Sequence, residues 1–204
     1  MRIVTGAAFC LTLAACGGSG SNTEPSSSLS ITLPTNPIPS GTSVQAAASI
    51  SGSPAPNVTW SSSNSPVASV SSTGVITGAL EGSAIIRATS GSVTGQISVS
   101  VVPGAPATIT IYAGDGQSGP AGSQLAGPLC TNVLDAAGNM IVGATVSYSV
   151  TTGGGQLGDP TAPQTDASGI AISGLWTLGS VVGTQTVTAS SVGAGSVTFT
   201  ATAQ

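Results

Sequence analysis

The sequence predicts an all-β protein made of two β-sandwiches in series. Apolar and polar residues alternate over many short runs, for example in residues 44–50 and 197–201. A period of two is that of strands with one buried and one solvated face. Turn clusters rich in Gly, Ser, Asn and Pro separate the runs. Residues 103–106, Pro-Gly-Ala-Pro, break the pattern between two complete sets of runs.

The first set of runs occupies residues 29–102. Its turn clusters lie at residues 51–56, 63–66 and 71–74. Short strands at this spacing are typical of a sandwich. One strand phase holds the residues expected inside: Val44, Ala46, Ala48, Ile50, Val58, Trp60, Ile97, Val99 and Val101.

The second set occupies residues 107–204, after a linker at residues 103–106. Its expected interior residues are Ile109, Ile111, Ala113, Val146, Tyr148, Val150, Val197, Phe199 and Ala201. Ile170, Ile172 and Trp176 also share one phase of a strand that follows the turn at residues 166–169. The indole of Trp176 is therefore expected between the two sheets.

Charged residues make up 4% of the chain, where an ordinary domain has roughly 25%. After Arg2, the only basic residue is Arg87, and it stands against six acidic residues for a net charge of −5. Nucleic-acid binding needs an extended basic surface and has no electrostatic footprint here, so no nucleic-acid partner is expected. Solvent-facing positions are then mostly hydroxyls, which suit hydrogen-bonded or sheet-edge contacts.

The N-terminus has the pattern of a secretory leader. Arg2 supplies a positive charge, and residues 3–14 form an apolar stretch too short to span a membrane. The letters LAAC at residues 13–16 resemble the cleavage box of bacterial lipoproteins. The resemblance implies that residues 1–15 are removed and that Cys16 is lipidated. The alternatives are an ordinary signal peptide cut beside a chance cysteine, or a buried helix.

Lipidation of Cys16 implies that the protein is attached to a membrane of the cell envelope by acyl chains. Gly17 follows the cysteine where an aspartate favours, by the family rule, retention in a Gram-negative inner membrane. The expected location is therefore the outer membrane if the organism is Gram-negative. Residues 16–28 are rich in Gly and Ser, and we expect a flexible tether spanning roughly 20 Å.

Residues 29–102 carry the motifs VTWSSSN (58–64), VASV (67–70), GVITG (74–78) and GSAIIRA (82–88). These motifs resemble the group 2 bacterial immunoglobulin-like domain. In that family the tryptophan belongs to the core, and the alternation around Trp60 indicates the same. The alternative is an exposed Trp60 that stacks on a sugar.

Residues 107–204 carry GDGQSG (114–119), DAAGN (135–139), VG (142–143), TDASG (165–169), WTLG (176–179) and GT (183–184). This half resembles the group 1 bacterial immunoglobulin-like domain, the type repeated in invasin and intimin adhesins. Met140 and Ile141 stand where that family usually has a proline-bearing turn. The resemblance implies a spacer, an adhesive module or an appendage.

No catalytic residue, metal site or cofactor is predicted. The chain contains no His and no Lys, so its many serines have no general base. The aspartates of the second half, Asp115, Asp135, Asp159 and Asp166, each have a Gly or Pro close by and are expected to cap turns. Calcium binding is the alternative for them.

Cys130 has no disulfide partner within the mature chain, because Cys10 leaves with the leader and Cys16 is acylated. It is expected to be a semi-buried residue of a strand, and the alternatives are a reactive thiol or an intermolecular disulfide.

Two functions fit these observations. The first is a lipid-anchored structural or adhesive surface module without catalysis, with the membrane as one partner through Cys16 and a cell-surface protein or polysaccharide as another. The alternative is a glycan-binding accessory module that holds cell-wall or environmental polysaccharide. A row of exposed aromatic residues would favour the second function, and the few aromatic residues of this chain lie mostly at core phases. The sequence identifies no ligand-binding residues.

Overall fold

The computed structural model describes residues 28–159 and 161–204. These residues form strands and turns without any helix, which confirms the predicted all-β class. No helix suited to crossing a membrane is therefore found in this part of the chain. The leader at residues 1–15, the lipidation site Cys16 and all but the last residue of the tether lie outside the described residues.

The first sandwich has ten strands. They are β1 (Leu29–Thr32), β2 (Ile38–Pro39), β3 (Ser43–Gln45), β4 (Ala47–Ile50), β5 (Ser53–Pro54), β6 (Thr59–Ser62), β7 (Ala68–Val70), β8 (Val75–Gly78), β9 (Gly82–Ser90) and β10 (Val93–Val102). Three sheets result, in the orders β1-β4-β5, β2-β10-β9-β6 and β3-β8-β7. The long hairpin β9–β10 is continuously paired from Val93–Ser90 to Val101–Gly82.

The run predicted at residues 44–50 is two strands and not one. β3 pairs with β8, whereas β4 pairs with β1 in another sheet. Ala46 lies between them, buried, and its backbone N–H donates to the Gly74 carbonyl at 2.9 Å. The apolar phase continues through Ala46, so the alternation alone could not reveal that the chain changes sheets there.

The second sandwich has nine strands. They are β11 (Pro106–Ala113), β12 (Gln117–Gly119), β13 (Cys130–Asp135), β14 (Ser147–Thr152), β15 (Gly155–Leu157), β16 (Ile170–Ile172), β17 (Trp176–Leu178), β18 (Gly183–Ser191) and β19 (Gly195–Ala203). The sheet orders are β11-β13-β16, β12-β19-β18-β14 and β15-β17. Pro106 opens β11 at an edge, where a residue without an N–H is tolerated, so the linker is residues 103–105.

Each sandwich has its own apolar core. The first core contains Ile38, Ala46, Val67, Ala68, Ile76, Ala84, Ile86, Val99 and Val101, with Trp60 packed against it. The second is centred on the fully buried Trp176, Phe199, Leu129, Val133, Val146 and Val187. Two cores support the prediction of two sandwiches, since each set of strands buries its own apolar face.

Three residues predicted to lie in the core of the second sandwich are exposed on its surface. Ile111 is 36% exposed and Ala113 is also exposed, because β11 is an edge strand with an irregular register between these two residues. Ile172 is 46% exposed, and its neighbour Ala171 points inward instead. The strand predicted from Ile170 to Trp176 is interrupted after Ile172, so β16 and β17 belong to different sheets.

A buried polar network joins the two main sheets of the second sandwich. The Tyr148 hydroxyl donates to the Ala171 carbonyl at 2.9 Å and lies 2.8 Å from the Thr131 hydroxyl. Because a phenol has one proton, Thr131 must be the donor in the second bond. Burial raises the pKa of Tyr148 to about 12, although the Thr131 hydrogen bond acts in the opposite direction. The phenol therefore stays protonated at neutral pH.

Candidate functional site at the junction of the two sandwiches

The turn after β13 is built by the carboxylate of Asp135. Its Oδ1 accepts hydrogen bonds from the backbone N–H groups of Ala137 and Asn139, both at 2.9 Å. The Gly138 N–H donates to the Asp135 carbonyl at 3.1 Å. This is the turn chemistry predicted for the aspartates, since Asp readily caps the backbone that follows it.

The same turn also contacts the first sandwich and the linker. Asn139 Nδ2 donates to the Ala79 carbonyl at 3.0 Å, and Asn139 Oδ1 accepts from the Glu81 N–H at 2.9 Å. Asp135 Oδ2 accepts from the Gly104 N–H at 2.9 Å and from Asn139 Nδ2 at 2.8 Å. We call these five residues, Ala79, Glu81, Gly104, Asp135 and Asn139, the junction clasp.

Both side chains at the centre of the junction clasp are buried, Asp135 at 4% and Asn139 at 8% exposure. Burial on its own raises the pKa of Asp135, but the hydrogen bonds from Gly104, Asn139 and Ala137 outweigh it and lower that pKa to about 2. The carboxylate is therefore ionised at neutral pH. Its charge is stabilised by N–H donors, without an ion pair among the described residues.

Gly104 is required in the linker because two backbones approach closely there. A Cβ at Gly104 would lie 2.6 Å from the Ser40 carbonyl oxygen of the first sandwich and 3.6 Å from Asp135 Oδ2. Ser40 is buried, and its N–H donates to the Val102 carbonyl at 2.8 Å. The linker is thus clamped between the two sandwiches, and a side chain at Gly104 would push them apart.

Sequence comparison decides the class of the first sandwich. The family model of the bacterial Ig-like domain (group 2) matches residues 27–102. The first sandwich is thus similar to that family over its whole length, and we call it the group 2 domain. This confirms the resemblance drawn from its motifs. A search of curated proteins found no match to the chain.

Among solved structures, the chain is similar to the Escherichia coli adhesin FdeC, at 19% identity and a TM-score of 0.54, over 85% of this chain and 63% of FdeC. It is also similar to the D00-D0 domain of intimin (16% identity, TM-score 0.47, 84% of this chain, 98% of that one). A third match is the Yersinia pseudotuberculosis adhesin InvE (16% identity, TM-score 0.41, 87% of this chain, 60% of that one). FdeC supports the predicted fold of tandem immunoglobulin-like sandwiches, and the group 1 assignment of residues 107–204 stays a prediction.

The two tryptophans lie where the core phases predicted. In the group 2 domain, Trp60 is half-buried and rests on Gly74, where a Cβ would meet its Cε2 at 2.9 Å. Trp176 of the second sandwich is fully buried, and its Nε1 has no hydrogen-bond partner in the described structure. Trp176 therefore has no surface for stacking on a sugar.

Cys130 begins β13 and is buried, as predicted, and burial raises the pKa of its thiol. A raised pKa leaves little thiolate at neutral pH, so the thiol is unreactive in the folded protein. Cys16, the one site residue named from the sequence, falls outside the described residues.

The other turn aspartates do not converge. Asp166 accepts from the N–H groups of Ser168 and Ile170 at 2.8 and 3.0 Å, which repeats the turn of Asp135. Asp115 instead accepts from the N–H and hydroxyl of Thr200 on β19. In the described part of the chain, no three Asp, Glu, His or Cys residues form a group that could hold a metal ion.

The junction role of Asp135 and Asn139 is not apparent from the sequence. Their pattern, DAAGN, predicts a turn and nothing more, because the equivalent DASGI at residues 166–170 makes the same turn without touching the other sandwich. The two patterns differ at two positions, Ala137 against Ser168 and Asn139 against Ile170, and only the amide of Asn139 reaches the other sandwich.

Replacing Asn139 by alanine is expected to free the two sandwiches from each other. The variant loses both direct side-chain bonds to the group 2 domain and the bond that orients the Asp135 carboxylate. Heteronuclear NMR relaxation should show one rotational correlation time for both sandwiches in the parent chain and shorter, separate values in Asn139→Ala. Asn132→Ala is the matched control, since Asn132 lies on β13, the strand that precedes this turn, and its Oδ1 has no partner among the described residues. Equal correlation times in Asn139→Ala and the parent would show that the junction clasp does not hold the sandwiches.

Proposed function

We propose that this protein is a lipid-anchored module of the cell envelope, whose two sandwiches act together as a structural or adhesive surface element without catalysis. The junction clasp is the observation that carries the proposal. Domains joined only by a short exposed linker move relative to one another by default. Here a buried carboxylate and a buried amide connect both sandwiches and the linker. This favours a stiff unit over two domains that move independently.

A stiff unit is useful in a projecting element because it transmits force and holds a distal surface away from the membrane. The similarity in fold to the adhesin FdeC is consistent with this use. The chain spans 63% of the FdeC structure, so activities of that whole protein are not transferred to it. The absence of His and Lys from the sequence argues against acid–base or nucleophilic catalysis.

The lipid anchor is tested by replacing Cys16 with serine. A serine cannot form the thioether to diacylglycerol, so Cys16→Ser should accumulate as an uncleaved or soluble protein. The measurement is fractionation of cells, with the apparent mass of the mature chain followed by immunoblot. Cys130→Ser is the control, because it removes a buried thiol and leaves the cleavage box intact. Normal cleavage and full membrane fractionation of Cys16→Ser would refute the anchor.

Display on the cell surface is tested by protease treatment of intact and lysed cells. If the module faces outward, an added protease should digest it equally in both samples, while a periplasmic marker is protected in intact cells. Protection in intact cells would place the module inside the envelope and refute an adhesive role. A structural role within the envelope would remain.

The alternative function, glycan binding, can use either stacking on exposed aromatic residues or hydrogen bonding in a groove. Sugar stacking on an exposed aromatic platform is not supported, because Trp176 is buried and Trp60 packs on the core of the group 2 domain. The remaining form is binding in a groove, and the group 2 domain has an open groove lined by serines, Ile85 and Arg87.

A further inference from the structure

The outer face of sheet β2-β10-β9-β6 carries two adjoining depressions. One depression of about 200 Å³ is lined by Ser61, Ser62, Ser63, Ile85 and Arg87. A second, of about 370 Å³, is lined by Ser63, Ser83, Ala84, Ile85 and Ser98. The two depressions adjoin at Ser63 and Ile85, and together they extend across the strands from β6 over β9 to β10 as an open groove. We call it the outer groove.

The floor of the outer groove is set by the strand register. Arg87 on β9 lies between Ser61 on β6 and Gln96 on β10, and Ile85 lies opposite Ser98. Cross-strand neighbours of this kind stand about 5 Å apart at Cβ. A guanidinium, hydroxyls and one amide therefore surround a single apolar side chain, Ile85, which is 44% exposed.

Arg87 has an unused charge. It is the only basic residue after Arg2, and it makes no ion pair or side-chain hydrogen bond within residues 28–159 and 161–204. In the described part of the group 2 domain the only acidic residue is Glu81. Glu81 is six residues from Arg87 along extended backbone, which corresponds to about 20 Å. That distance exceeds the Debye length of about 8 Å at physiological salt, so the charge of Arg87 is not neutralised from there.

The hydroxyls around Arg87 are also available. Ser63 Oγ accepts from the Ile85 N–H at 2.8 Å, which leaves its own proton free to donate outward. Ser61, Ser83 and Ser98 make no side-chain hydrogen bonds to other described residues. Ser62 differs, because it donates to the Ala68 carbonyl at 2.6 Å and ties β6 to β7.

We propose that the outer groove binds an acidic polysaccharide, with Arg87 pairing with a sugar carboxylate and the serines bonding to sugar hydroxyls. A guanidinium presents two parallel N–H donors that match a carboxylate. In a chain of net negative charge, this is the one place in the described structure where an anionic group meets a positive side chain.

A polysaccharide fits the groove better than a peptide does. Peptides bind to sheets mainly by adding a strand at an open edge. The outer groove instead crosses three strands on the face of a sheet, and the Ser62 to Ala68 bond covers part of the β6 edge. The groove is open and offers no enclosed pocket for a peptide anchor, and the serines along it can bond to the hydroxyls of a sugar chain.

The hydroxyl-rich face of the second sandwich shows why Arg87 is decisive. There, Thr184, Thr186 and Thr188 on β18 pair in register with Thr202, Thr200 and Thr198 on β19. Several of these hydroxyls bond to neighbours, as Thr186 does to Thr151 at 2.9 Å and to Thr152 at 2.7 Å. This face has hydroxyls but no cation, and so it serves as the internal control surface.

The test measures binding of the purified full chain to immobilised polygalacturonate by surface plasmon resonance. Fully methyl-esterified polygalacturonate is the matched ligand, since it has the same backbone without the charge. We expect binding to the acid form that weakens with salt, and little binding to the ester. Arg87→Gln should weaken binding about fivefold, because an exposed charge pair contributes little on its own. Arg87→Lys keeps the charge but lacks the two parallel N–H donors, so its affinity should lie between those of the parent and Arg87→Gln.

The control variant is Thr198→Glu on the second sandwich, which changes the net charge by the same amount as Arg87→Gln and should bind like the parent. The exposed position of Arg87 leaves the fold intact, and a thermal melt of each variant checks this. Absence of binding to polygalacturonate, equal binding by Arg87→Gln, or equal binding to the ester would overturn the proposal. Competition by poly-L-glutamate as strong as that by free polygalacturonate would overturn the polysaccharide assignment in favour of an acidic peptide.

This inference rests on the proposed function only in that a displayed module meets polysaccharide. The binding assay needs neither the lipid anchor nor surface display. A negative binding assay therefore does not contradict the proposed envelope module. A negative protease or fractionation test does not contradict polysaccharide binding in the outer groove.

Discussion

Trp176→Ala is expected to lower the free energy of unfolding of the second sandwich by about 3 to 5 kcal/mol. Trp176 is fully buried in the second core, which also contains Phe199 and Leu178. Truncation removes the apolar contacts of a whole indole and leaves a cavity that the surrounding strands can fill only in part. A domain of this size has about 5 to 15 kcal/mol in total, so the variant should be close to unfolding at physiological temperature.

Two further variants separate packing from other effects. Trp176→Phe keeps an aromatic ring in the core, and it removes an indole N–H that is buried without a partner. The loss should therefore be smaller, about 1 to 2 kcal/mol. Ile172→Ala, on the strand before Trp176, should cost less than about 1 kcal/mol because Ile172 is 46% exposed.

The measurement is denaturant unfolding followed by fluorescence in a Trp60→Phe background, where Trp176 is the sole tryptophan of the mature chain. Native emission should be blue-shifted and resistant to acrylamide, and it should shift to the red only in the unfolding transition. A native emission that is red and readily quenched, with stability unchanged in Trp176→Ala, would contradict the buried position.

The Trp176 region also shows what alternation can predict. The period of two placed Trp176 inside correctly, yet it placed Ile172 inside as well, because it treated residues 170–176 as one strand. The structure interrupts that strand at residues 173–175, where the Ser173 hydroxyl donates to the Gly174 carbonyl and accepts from the Leu129 N–H. A buried hydroxyl that bonds to the backbone of the neighbouring segment leaves no trace in the apolar pattern.

The same limit applies to strand partners. Alternation shows which face of a strand is buried, but not which strand lies beside it. The change of sheet at Ala46 and the irregular register near Ile111 are both set by long-range pairing. The outer groove belongs to this class as well, because Ser61 and Arg87 are far apart in sequence and become neighbours only through the β6–β9 register.

Asp135→Ala is expected to lower the free energy of unfolding by about 3 to 5 kcal/mol and to free the linker. The carboxylate accepts four hydrogen bonds, from the Gly104, Ala137 and Asn139 N–H groups and from the Asn139 side chain. Hydrogen bonds to a charged group are worth more than neutral ones, and their loss leaves buried donors without an acceptor. The turn and the contact between the sandwiches should weaken together.

Asp166→Ala is the matched control for this variant. Asp166 accepts from the N–H groups two and four residues ahead, as Asp135 does, but it has no bond to the linker or to the other sandwich. Its loss should cost about 1 kcal/mol, the usual value for a side chain that caps a turn or helix end. The difference between the two variants therefore measures the contribution of the junction clasp. Equal losses would show that Asp135 acts only within its own turn.

Acid should weaken the junction clasp in a defined window. The folded pKa of Asp135 is about 2, below the ordinary value of 3.8 expected in the unfolded chain. A carboxylate with a lowered pKa stabilises the folded state above its unfolded pKa, and this stability is lost as the pH falls from about 4 to about 2. The expected loss is about 2 kcal/mol. Chemical denaturation across this range should show it in the parent chain and not in Asp135→Asn, which cannot titrate there. If Asp135→Asn lost stability over this window as steeply as the parent, the acid sensitivity would belong to other carboxylates, and the hydrogen bonds to Asp135 would not be what stabilises its charge.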